Sequence, residues 1–79
     1  MNDQNNQKKL HIFTVTDTYT ACGIIEGFVD IPEYADEYQA HIDAWQYLID
    51  TGVVWQLQGW YGRNAQSLIN DGTCTRKKS

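Results

Sequence analysis

The chain has 79 residues, with 10 Asp and Glu against 6 Lys and Arg for a formal charge of −4, and 13 % of its residues are aromatic. A chain this short makes one small domain that buries only about 60 % of its unfolded surface. The acid surplus argues against double-stranded nucleic acid as a partner, since that needs several phosphate-neutralising cations on one face, and no apolar run approaches the roughly 18 residues of a membrane span.

Met1 to Lys9 is polar, has no apolar stretch of the signal-peptide kind, and reads as a disordered leader to a soluble cytosolic domain over residues 10–72. His11 to Thr16 is β-branched and partly alternating, which predicts an extended segment or a short strand over about 11–16. No partner strand is evident in the chain, so pairing across a homodimer is one way to complete it. Ala21, Ile25, Phe28 and Val29 fit one face of a short helix over 19–28, weakened by Gly23 and Gly27.

The strongest periodicity runs from Ile31 to Asp50. Ile31, Ala35, Tyr38, Ile42, Trp45 and Ile49 recur at spacings of three and four, with Asp36, Glu37, Gln39, Asp43 and Gln46 between them, and predict a long amphipathic helix over about 31–50. Asp30 is its expected N-cap, with Pro32 in the first turn and Glu33 completing a capping box; Gly52 is its expected stop. Beyond it, Val54, Leu57, Tyr61, Ala65, Leu68 and Ile69 resume helical spacing until Gly72. Gly59 and Gly62 predict a broken helix over 53–71: a short helix over 53–58, a kink, and a firmer helix over 63–71, packed against the long helix as a hairpin. Thr73 to Ser79 reads as a flexible basic tail. The fold class is therefore mainly α, a small helical domain.

Chemistry is sparse. Cys22 and Cys74 belong to no C-x-x-C unit and read as free thiols, and with His11 and His41 they lack the close ligand pairs of a structural zinc site. A nucleophile would have only those two histidines as bases, and a pocket of about 300 Å³ or more is hard to build in so small a domain. No catalytic residue, cofactor or metal is expected, and the chain is read as a non-enzyme.

Trp55 to Arg63 is the expected contact surface by composition, with three rings, two glycines and an arginine and no acid. Its partner-binding candidates are Trp55, Gln58, Trp60, Tyr61 and Arg63, residue types enriched in interface hot spots. The competing reading has Trp55 and Leu57 sealing the core, Gly59 and Gly62 easing the hairpin, and Arg63 pairing with Asp50 or Glu33. Trp60 lies one position off the Leu57–Tyr61 stripe and is expected to lean outward, whereas Trp55 is the better core candidate.

The run Leu48-Ile49-Asp50-Thr51-Gly52-Val53-Val54-Trp55-Gln56-Leu57-Gln58-Gly59-Trp60-Tyr61-Gly62-Arg63, with Ala65, Leu68-Ile69 and Gly72, resembles a family of very small proteins of tailed bacteriophages whose activity is unassigned. The resemblance implies a phage product acting in the host cytoplasm. The expected function is that of an interaction protein that binds a host bacterial protein and inhibits or modulates it, in host takeover or anti-defence. Two alternatives stay open: a small-ligand or single-stranded nucleic-acid binder using the Trp55–Arg63 aromatics, and a homo-oligomeric structural part.

Overall fold

The computed structural model describes residues 13–76. They form three α-helices and one 3₁₀ turn, with no strand among the described residues. Residues 13–16 are irregular; the remainder of the strand expected at 11–16, and the leader at 1–9, lie outside the described residues.

Helix α1 spans Thr18–Glu26. Asp17 starts it: one carboxylate oxygen accepts the Thr20 backbone N–H at 2.7 Å and the other accepts the Thr20 hydroxyl at 3.0 Å, which satisfies a free first-turn donor. Gly27 ends it at φ 89°, a left-handed conformation that costs glycine little. The chain then doubles back over α1. The Gly23 carbonyl accepts the N–H groups of Gly27, Phe28 and Val29 at 2.8, 2.9 and 3.1 Å.

Helix α2 spans Glu37–Thr51 and begins six residues later than the periodicity predicts. Its N-cap is Asp36, which accepts the Gln39 N–H at 3.2 Å, and not Asp30. Pro32 explains the shift: its carbonyl accepts the Ala35 N–H at 3.0 Å and closes a turn before the helix. Ile31 and Ala35 still face inward, but the turn presents them. Gly52 closes α2 at φ 81°, as expected.

A 3₁₀ turn, Val53–Gln56, buries Val54 and leads through extended Leu57 into helix α3, Gly59–Asn70. The break expected around Gly59 and Gly62 falls earlier, at Leu57-Gln58, and both glycines lie inside the first turn of α3. A helix tolerates glycine better at a terminus, where backbone bonds are incomplete anyway. Gly72, at φ 86°, follows the end of α3.

The closest backbone packing between helices is that of α1 on α2; the buried faces of these two helices include Ala21, Gly23, Ala40 and Ala44, small enough to let two backbones approach. Ile24, Leu48, Ile49, Val54, Tyr61 and Ala65 continue the core. Helix α3 joins it through side chains, the Tyr61 ring lying 5.6 Å from that of Trp45 on α2.

Residues 73–76 do not fray. Cys74 is buried, its N–H donating to the Leu68 carbonyl at 3.0 Å. The Gln46 side-chain amide brackets Thr75, donating to its carbonyl at 2.8 Å and accepting from its N–H at 2.9 Å. No helix among the described residues is long and apolar enough to cross a membrane.

Candidate functional site

The Trp55–Arg63 stretch divides into a buried anchor and an exposed rim. Tyr61 is the anchor, only 3 % exposed. Its hydroxyl donates a hydrogen bond to the Glu26 carboxylate, with Cys22 beside it. Cys22 and Glu26 lie four residues apart on α1, so one helix face presents both to α3. Burial, reinforced by the neighbouring Cys22 thiol and Glu26 carboxylate, pushes the Tyr61 phenol far above its ordinary range. Tyr61 therefore stays neutral and ties α3 to α1, facing inward and not toward a partner.

Trp60 stacks on Tyr61, with ring centroids 4.0 Å apart and planes 26° from parallel. Its indole N–H donates to the Gln58 side-chain oxygen at 2.9 Å, which holds the ring half-buried. Gln58 and Arg63 are exposed. The Arg63 guanidinium folds back over the helix start, where a side chain at Gly59 would come within 3.1 Å of it.

Trp55 reverses the expectation. It is the outward tryptophan, 43 % exposed, at the end of the 3₁₀ turn. Its ring lies against α3 at Gly62, where even a methyl group would stand 3.7 Å from the ring edge. Arg76 lies over the same ring at 5.8 Å and donates to the Gln66 side chain at 3.0 Å, a cation–π arrangement held from both ends. The basic tail thus contributes a residue that composition alone did not single out.

The structure consequently gathers Trp55 and Arg76 on the outside of α3, with Gly62 beneath and Gln66 alongside. Trp60, Gln58 and Arg63 crowd the start of the same helix. Residues 53–70 contain no acid, so Arg63 has no carboxylate within its own segment. An aromatic ring with a guanidinium already placed on it can bind a flat or anionic group with little side-chain entropy left to lose.

One further concavity lies beside α2: an open groove of about 290 Å³ lined by Phe13, Val15, Asp43, Gln46, Tyr47 and Asp50, among others. It is at the small end of ligand-binding cavities. Among the described residues no three His, Cys, Asp or Glu side chains converge in a metal-binding group. Both cysteines are free thiols, Cys22 half-buried and Cys74 buried. Burial raises the Cys74 thiol, with Asp71, Asp50 and Asp43 adding to the effect.

A family model described as a domain of unknown function, DUF7417, matches residues 29–79. The chain belongs to that family. No curated protein and no solved structure matches it. The DUF7417 match begins at Val29, so it takes in α2, the 3₁₀ turn, α3 and the docked tail with Trp55 and Arg76, and it leaves α1 outside.

Proposed function

We propose that the chain is a non-enzymatic interaction protein that binds a host bacterial protein through the Trp55 face and inhibits or modulates it, as a phage product acting in host takeover or anti-defence in the host cytoplasm. The phage setting rests on the sequence resemblance. The observation that carries the contact face is Trp55, exposed over 43 % of its surface while Arg76 and α3 fix its ring. Exposed aromatics in a fixed orientation, flanked by arginine, are the residues on which protein interfaces concentrate their energy.

The test is to express the full chain with an affinity tag in a bacterial host beside its Trp55→Ala variant and identify what co-purifies. The expected result is a stoichiometric host protein with wild type that is lost with the variant, the variant's stability changing by less than about 1 kcal/mol while binding loses about 2 kcal/mol or more. Recovery of the chain by itself from every host lysate would overturn the reading.

The acid-free run 53–70 supports a second reading, in which Trp55, Arg63 and Arg76 take a small anionic ligand or single-stranded nucleic acid. Tryptophan fluorescence separates the two: quenching by nucleotides or oligonucleotides favours the second, and a flat titration removes it.

A further inference from the structure

We propose that the α1–α2 end of the molecule is a second interaction surface, distinct from the Trp55 face, that takes a basic polypeptide segment rich in Arg or Lys. Apart from Trp55, the large hydrophobic residues exposed among those described all fall within residues 19–38: Tyr19 at 67 %, Phe28 at 54 %, Tyr34 at 54 % and Tyr38 at 71 %.

The Tyr19 and Phe28 rings pack on each other, and the backbone that carries Tyr34 and Tyr38 is hydrogen-bonded in place. Phe28 sits where Gly27 reverses the chain, its N–H bonded to the Gly23 carbonyl at 2.9 Å, and its ring meets that of Tyr19 with centroids 5.3 Å apart. Tyr34 lies within the turn that the Pro32–Ala35 hydrogen bond closes. Tyr38 stands on the first turn of α2, between the cap residue Asp36 and its bonded partner Gln39. A paired set of rings and an anchored backbone lower the ordering cost of binding.

Charge selects the occupant. Residues 13–52 carry eight Asp and Glu and no Lys or Arg, and Asp30, Glu33 and Glu37, which flank these rings in sequence, are all exposed. Such a field repels nucleic acid and anionic lipid and draws cations. Aromatic faces beside carboxylates bind guanidinium and ammonium groups by cation–π attraction and ion pairing together. A second copy of the chain is the weaker fit, because its arginines lie at the Trp55 end and joining unlike faces builds an open-ended string.

The test is fluorescence anisotropy with the full chain and a labelled peptide of about twelve residues made of Arg-Gly repeats, against a Gln-Gly peptide of equal length. Saturable binding is expected to the Arg peptide only, weakened about tenfold by Tyr34→Ala with Tyr38→Ala and by Glu33→Gln with Glu37→Gln, and unchanged by Trp55→Ala. Circular dichroism checks that each variant folds. Equal or no binding of the two peptides, or affinity unmoved by the tyrosine pair, would overturn the proposal. So would loss in Trp55→Ala, which places the peptide on the other face, or light scattering that shows a wild-type assembly dispersed by Tyr38→Ala, which makes the occupant a second copy. The host-capture experiment at the Trp55 face is unaffected by any of these outcomes.

Discussion

Gly23 and Gly62 both sit inside helices, yet the space around them differs. A methyl group at Gly23 would lie 2.2 Å from Val29 Cγ2, inside the segment that folds back over α1. At Gly62 it would meet only the Trp55 ring edge at 3.7 Å, an ordinary contact. Gly23→Ala should therefore destabilise the fold by about 1–3 kcal/mol, whereas Gly62→Ala should be neutral or stabilise it by up to about 1 kcal/mol through helix propensity; urea denaturation of the two variants checks both. Tyr61 and Cys74 carry the second prediction at this scale. Both groups are raised above their ordinary values of 10.0 and 9.0, so folding favours their neutral forms. Their contribution is fully present below those values and is lost as pH rises above them. Melting temperature should hold between about pH 7 and 8.5 and fall above pH 9 to 10, and Tyr61→Phe should flatten the upper part of that fall. Residue type singled out the Trp55–Arg63 stretch but not the orientation of its rings. Trp60 is off the apolar stripe yet is pulled in by Tyr61 and Gln58, contacts that periodicity cannot register; Trp55, on a 3₁₀ turn, obeys no helical stripe at all.

At the scale of elements, the start of α2 is the instructive case. Ile31 and Ala35 extend the 3.6-residue pattern, and Asp30-Ile31-Pro32-Glu33 looks like a capped helix start. A proline-headed turn buries Ala35, and Ile31 just before it packs partly against the core, both without a helix, so the pattern reports burial and not backbone conformation. Asp36→Ala should cost about 1 kcal/mol, while Asp30→Ala should stay within about 0.5 kcal/mol, as measured by chemical denaturation. The glycine stops at Gly52 and Gly72 were legible because a left-handed residue after a helix calls for glycine specifically. The docking of residues 73–76 was not, since its main polar support is one amide, Gln46, that reaches the backbone 29 positions away. Gln46→Ala should free Thr75 and release Arg76 from Trp55. The expected readouts are faster amide exchange at Thr75 and Cys74 and a change in Trp55 emission, with α1 and α2 retained.

For the molecule as a whole, three short helices share one core because α2 is used on several sides: α1 lies close against it through small residues, Tyr61 of α3 meets its Trp45, and the tail binds its Gln46. Helical content was readable from apolar spacing, but which helices lie closest was not, because the alanines that decide it contribute little to a hydrophobic pattern. The same arrangement separates charge: the acids of residues 13–52 lie on or beside α1, α2 and their connection, and the arginines lie on α3 and the tail, where Asp71 is the one acid among the described residues. It also places Trp45, Tyr61 and Trp60 in ring contact across two helices, at 5.6 and 4.0 Å. Three chromophores locked in one asymmetric array rotate near-ultraviolet light strongly, and that signal vanishes when specific packing is lost even if helices persist. The molecule thus carries a label-free optical gauge of whether α3 is seated, sensitive to the anchor at Tyr61 and separate from the outward ring of Trp55.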